Sequence, residues 1–305
     1  EVNPAVMKLP FSLIEMLGDL VPHMHFVDVG AMYLGPEHIP YRSLLRPGKA
    51  TVIGFEPLET ECDKLNAKAE PGQRYLPYCI GDGTVRNFYI TNTGFTSSLY
   101  EPNMELLSAF NNLAELMRVQ GIEPVQTRRL DDVTEIEDVH FLKLDVQGAE
   151  LDVLRNAERL LKSTMLLHCE VEFLEMYKGQ PLFGEVHEFL RTQGFMLHCL
   201  NGYGGRAFAP ITANKDINLP VRQAMWSDAI FVPDFRRLHE YAPDRLLALA
   251  VMLHELYVSV DLVSVILNHY DRKMKTDLWP AYLRELTGRL ETGKRPALAG
   301  LDPLN

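Results

Sequence analysis

The sequence predicts an α/β fold of the doubly wound kind, a mostly parallel seven-stranded sheet followed by a C-terminal helical extension. Three observations lead there. Five short apolar runs alternate with helical patterns, two more strand patterns follow, and from Phe235 onward the spacing is helical throughout. At 305 residues the chain has room for one large domain and an appendage. The expected division is 1–234 for the sheet domain and 235–305 for the extension.

The first five strands are expected at 25–29, 51–55, 74–80, 140–144 and 165–171. They read as continuous apolar runs without alternation, which suits a parallel sheet covered by helices on both faces. Residues 86–129 break the rhythm: a polar, glycine-containing stretch at 91–98 precedes helical spacing at 104–120. Excursions of that length usually carry function. Helical spacing at 183–193 stops at Gly194, a suitable C′ residue, before strand patterns at 195–200 and 224–232. The extension is expected to hold helices at 244–258, 260–270 and 278–290, with Pro243 and Asp244 suited to a helix start.

Composition narrows the function classes. Hydrophobic residues at 47% and charged residues at 23% describe a soluble globular chain. A net charge of −11, from 41 acidic against 30 basic residues, disfavours nucleic acid or anionic lipid as a partner. The four cysteines are widely spaced and form no C-x-x-C, so reduced thiols and a cytoplasmic setting are expected. No secretory leader pattern opens the sequence. The most apolar stretch, 246–267, contains His254, Glu255 and Asp261, which favours a packed helix pair over a bilayer span. Those helices must cover something, either this chain's own sheet or a second copy in a homodimer, with intrachain packing the simpler outcome.

The chemistry-bearing motifs sit at strand ends. Phe26-Val27-Asp28-Val29-Gly30-Ala31 finishes the first strand with an acid and a glycine, where backbone approaches a ligand at the carboxyl edge of the sheet. The second strand finishes with Glu56-Pro57, a carboxylate suited to ribose hydroxyls. The third leads to Gly81-Asp82-Gly83, which is good turn chemistry and also offers an acceptor to an adenine amino group. The fourth gives Lys143-Leu144-Asp145-Val146-Gln147-Gly148-Ala149-Glu150. Acids flanking a glycine turn suit orienting a substrate, binding a metal or holding a cationic cofactor, and Glu150 also suits helix capping. No metal site is assigned.

Taken together, 27–31, 54–57, 81–82 and above all 143–157 resemble the FkbM family of methyltransferases, with 168–172 and 227–233 fitting its later strands. The resemblance covers residues 20–234. It implies a Rossmann-like methyltransferase fold with S-adenosylmethionine as cofactor, held by Asp28, Gly30, Ala31 and Glu56, with Asp82 near the adenine and Asp145 beside the methyl donor. Ser98, in the run Thr96-Ser97-Ser98-Leu99, resembles a serine segment of the family that touches cofactor or acceptor. The sequence departs from the family after Gly30, with Met32 and Leu34 at positions commonly Asn and Gly, and Gly35 one place late. A small-molecule or glycan acceptor follows from the resemblance, through a hydroxyl on a sugar or natural product. Asp145, Glu170 and His168 are the candidate bases. Two rivals stand beside this reading. A nicotinamide-dependent oxidoreductase would use the same strand ends, although G-x-G-x-x-G is absent, and a noncatalytic nucleotide-binding or assembly module would suit the altered loop and helical tail.

Overall fold

In the computed structural model, which describes residues 9, 11–32, 35 and 39–287, nine strands and ten α-helices lie along the described chain. They are α1 (Leu13–Leu17), β1 (Met24–Val29), β2 (Ala50–Phe55), α2 (Glu59–Lys68), β3 (Gln73–Leu76), β4 (Val85–Thr91), α3 (Met104–Leu107), α4 (Leu113–Leu116) and β5 (Val119–Gln126). After them come β6 (Phe141–Leu144), α5 (Glu150–Arg155), α6 (Glu158–Leu161), β7 (Leu166–Glu172), α7 (Phe183–Thr192), β8 (Phe195–Gly204), β9 (Trp226–Pro233), α8 (Pro243–Tyr257), α9 (Val260–Met274) and α10 (Leu278–Thr287).

Seven strands form one sheet in the order β3-β2-β1-β6-β7-β9-β8. Pairings through β7 are parallel, and β9 alone runs against its neighbours, so the sheet is mostly parallel as expected. From β1 the chain winds outward through β2 and β3, then returns to β6 on the other side of β1. That reversal makes β1/β6 the topological switch point, and ligands of such sheets bind beyond the strand ends there.

Period-two alternation divides the core between the two faces. Phe26, Phe141, Leu166 and Ile230 join α1, α8 and α9 in one apolar cluster, while Val27, Leu142, Leu167 and Phe231 join residues of α5, α6 and α7 in the other. Every residue of α8 from Leu246 through His254 is buried, because α8 lies between the sheet and the neighbouring α1 and α9. A helix that is apolar all round is what such a sandwiched position requires. Intrachain packing thus covers the apolar residues of α8, while Val265 and Met274 of α9 stay exposed.

Two expected elements differ. The third strand ends at Leu76 and not Ile80, since Pro77 has no N–H for the ladder and Tyr78 N turns back to Leu76 O at 2.9 Å. The helix expected at 104–120 is two short helices, α3 and α4, after which β5 pairs antiparallel with β4 in a separate two-stranded sheet. Gly121 and Pro124 oppose helix there, and the pair is open enough to solvent that it lacks the apolar run that betrays a buried strand. Residues of α3 and α4 cluster with Met176, Tyr177 and Met225 in a small apolar cap. Residues 288–290 of the last expected helix, the tail beyond them, and Leu34 lie outside the described residues. All four cysteines are free thiols, and no helix among the described residues is long and apolar enough to cross a membrane.

Candidate active site

The ends of β1 and β2 are tied by backbone: Gly30 N and Ala31 N both donate to Phe55 O at 3.0 Å. This fixes the turn after β1 beside the end of β2, where Glu56 emerges. Gly30 has φ +83°, and a Cβ there would stand 1.9 Å from Asp145 O, so only glycine lets the β1 turn pass against the end of β6.

In-register pairing sets Asp28 against Lys143, and Lys143 against His168, on the face that carries α8. Lys143 Nζ lies 3.1 Å from Asp28 Oδ1 and 3.7 Å from Asp145 Oδ2, and Tyr41 Oη donates to Asp28 Oδ2 at 2.6 Å. Burial works against the Lys143 charge, yet Asp28 and Asp145 hold its ammonium above the usual lysine range. Side-chain exposure separates their roles. Asp28 is 7% exposed and committed to its partners, while Asp145 at 39% and Asp228 at 41% open toward solvent.

Glu56 is buried, and its Oε1 accepts from Leu58 N at 2.8 Å while Oε2 makes no hydrogen bond among the described residues. Desolvation lifts its carboxyl to about 7 against the pull of the Leu58 N–H, with Glu61 and Asp28 adding to the rise. A buried carboxylate with an idle oxygen is suited to paired hydroxyl donors.

Beyond β6 the chain makes a tight turn with positive φ at both Gln147 (+56°) and Gly148 (+94°). Gln147 in this strained conformation is held on every side. Its Nε2 donates to Asp145 Oδ1 at 2.9 Å and to Glu170 Oε2 at 2.6 Å, Tyr177 Oη lies 2.8 Å from its Oε1, and Ser98 Oγ donates to its carbonyl at 2.6 Å. A neutral amide thus bridges two carboxylates that would otherwise repel. Glu170 rises well above its ordinary value through desolvation first, then Asp145, Glu172 and Glu150. Glu150 caps the turn, accepting from Val146 N at 2.8 Å and Gly148 N at 3.0 Å, and desolvation still lifts it to about 7.

A match to the methyltransferase FkbM domain spans residues 28–197. The chain belongs to the FkbM methyltransferase family. The 2-O-methyltransferase NoeI of Sinorhizobium fredii is 30% identical over 144 residues, which are 45% of this chain and 59% of that protein. The match therefore spans about three-fifths of the relative's length. Solved structures similar to the chain include a SAM dependent methyltransferase from Aquifex aeolicus, at 13% identity over 72% of this chain and 88% of that one with a TM-score of 0.31. Another is a precorrin-6y C5,15-methyltransferase from Geobacter metallireducens, at 13% identity over 69% and 80% with a TM-score of 0.34. Scores that low carry no argument, and the fold rests on the strand order itself.

Within this FkbM domain the structure brings Asp28, Gly30, Ala31, Glu56, Asp145 and Glu170 to the switch-point edge of the sheet. Three other expected residues are occupied elsewhere. Asp82 Oδ1 accepts from Thr84 N, Thr84 Oγ1 and Thr127 Oγ1, and Oδ2 takes Arg86, so its acceptors are spent on its own turn. Ser98 is buried and clamps the Gln147 turn while accepting from Tyr100 N. His168 is buried with both ring nitrogens engaged, Nδ1 by Tyr257 Oη at 2.9 Å and Nε2 by Asp228 Oδ1 at 3.2 Å. Desolvation would raise Asp228, but His168 and Lys143 hold it below its ordinary value. Sequence reasoning missed Lys143, Gln147, Asp228, Tyr41 and Tyr177 as parts of the site. Lys143 and Gln147 lie in the 143–157 run and Asp228 in 227–233, and a lysine inside an otherwise apolar strand was a further signal, since such a charge requires a partner.

Proposed function

We propose that this FkbM family protein transfers a methyl group from S-adenosylmethionine to a hydroxyl of a sugar or natural-product small molecule. The observation that carries the reading is the meeting of the Gly30 turn with buried Glu56, whose Oε2 is idle, at the switch point of the sheet. These residues fit the cofactor: Glu56 would accept from the ribose hydroxyls, and Gly30 and Ala31 would border its chain. Bound there, the sulfonium supplies an electrophilic methyl group. Transfer is an in-line displacement, so the protein's task is to position the acceptor and take its proton.

Glu170 is the proposed base, because burial and the neighbouring carboxylates of Asp145, Glu172 and Glu150 raise its proton affinity well above that of an ordinary carboxylate. Asp145, steadied by Gln147 and Lys143, borders the same opening and orients the acceptor. His168, with both nitrogens spent, supports Asp228 and is not proposed as a base. The name 2-O-methyltransferase of the relative NoeI supports oxygen as the acceptor atom. Calorimetry with S-adenosylhomocysteine and with NAD tests the reading. Saturable binding of the first and none of the second is expected, and a chain that binds NAD but not S-adenosylhomocysteine would overturn it.

A further inference from the structure

The end of β7 and the start of α5 bring together three carboxylates. Strand alternation puts Glu170 and Glu172 on one face of β7, and the Gln147-Gly148 turn swings Glu150, the first residue of α5, to meet them. Oxygen atoms from all three lie within 4.8 Å of one another. A cation with bonds of about 2.0–2.6 Å to oxygen keeps its ligand atoms roughly 3–5 Å apart. We propose that Glu150, Glu170 and Glu172 bind one hard divalent cation of the Mg2+, Mn2+ or Ca2+ class.

Solvated acids tolerate such crowding, but two of these are not solvated, with Glu150 2% exposed and Glu172 1%, while Glu170 is half-buried. Among the described residues none of the three has an ion-pair partner, and Lys143, the nearby ammonium, is taken by Asp28 and Asp145. A second observation comes from Glu172 itself. Its Oε1 is fully enclosed and receives no hydrogen bond, in a carboxylate that has an oxygen within 4.8 Å of the other two. The Gln180 amide lies near enough to pull the Glu172 carboxyl down, but its Oε1 is held by Tyr177 N at 2.6 Å and its Nε2 stays outside hydrogen-bonding geometry, so burial and the other carboxylates still dominate at Glu172. An enclosed, donorless carboxylate oxygen beside two more carboxylates is the arrangement a cation completes. Glu150 and Glu170 keep lone pairs beyond those that accept from Val146 N, Gly148 N and Gln147 Nε2. The donor set is carboxylate oxygen alone. Cys169, between two of the ligands, packs into the core of the opposite face, so a soft metal is not favoured.

The test uses the full chain stripped with a chelator. Titration with MnCl2, followed by loss of the free-ion paramagnetic resonance signal, is expected to show one saturable site per chain. MgCl2 or CaCl2 should compete for it. Glu172→Gln should weaken Mn2+ binding at least tenfold, with circular dichroism confirming the fold. Glu170→Gln should do the same and stands in if the first variant fails to fold. Absence of saturable binding of all three ions, or undiminished Mn2+ binding in either folded variant, would overturn the proposal and leave a cluster held by shared protons. Neither arm involves methyl transfer, so the outcome is read apart from the acceptor reading; a cation held by Glu170 would occupy that carboxylate and leave Asp145, which borders the same edge, as the base.

Discussion

Glu56 offers the sharpest quantitative check, because burial has put its titration in an accessible window. Its carboxyl sits at about 7 in the free protein, with desolvation as the main cause. Ribose hydroxyls donate to the ionised carboxylate, so a ligand that uses Glu56 selects the charged form and its apparent affinity rises with pH. At pH 8 about nine-tenths of the free protein has Glu56 ionised, and at pH 6 only about one-tenth. Affinity for S-adenosylhomocysteine should therefore fall about tenfold from pH 8 to pH 6, or ~1.4 kcal/mol. Glu56→Gln, which cannot ionise, should lose this dependence and bind more weakly at pH 8 by about 1–3 kcal/mol. Calorimetry of both proteins at three pH values supplies the test. The ligand's own amine titrates equally in the two series, so the ratio of their dissociation constants isolates Glu56. A ratio that stays constant from pH 6 to pH 8 would refute the assignment of Glu56 to the ribose.

Other consequences are open to direct measurement. The raised Glu56 carboxyl binds a proton more tightly folded than unfolded, so its stabilising effect is complete below about pH 4.5 and is lost as pH rises through 7; the ligand-free melting temperature should decline less steeply over that interval in Glu56→Gln. Lys143→Met leaves Asp28 buried beside Tyr41 without its cation, at a cost of about 3–5 kcal/mol measurable by urea titration. Glu170→Gln should lower methyl transfer to an identified acceptor by about 10²–10⁴-fold with the fold intact; normal turnover would remove it as the base. Deletion after Asp234 strips α8 from the sheet face that Phe26, Phe141 and Ile230 share with it, and should give an insoluble or molten product by circular dichroism and sedimentation.

What could be read from the sequence follows from how local each cause is. Asp28, Glu56 and Asp145 are legible because an acid that closes an apolar run belongs at the open edge of a parallel sheet, wherever the strand sits within it. Pro243 and the apolar run after it announce α8 for the same reason, as local chain stiffness and burial together leave little choice. Lys143 shows the limit. Its charge inside a buried strand announces that a partner exists, but the partner is Asp28, 115 residues away, chosen by the in-register pairing of β1 with β6. Tyr41, which donates to the same Asp28, lies in a stretch with no periodicity and carries no signal at all.

Glu150 makes the same distinction within one side chain. Its capping role is local, and the hydrogen bonds from Val146 N and Gly148 N bear out the expectation drawn from an acid at a helix start. Its meeting with Glu170 and Glu172 is not local, because it depends on β7 lying next to β6 in the sheet. Without that adjacency Glu170 and Glu172 would not meet Glu150. The charge state of this edge is therefore a property of strand order, and strand order is also what makes β1/β6 the ligand crevice. The crowding of Glu150, Glu170 and Glu172 and the opening beside Asp145 have one topological cause, so a substitution that relieves the crowding, such as Glu172→Gln, acts on the electrostatics of the Glu170 carboxylate.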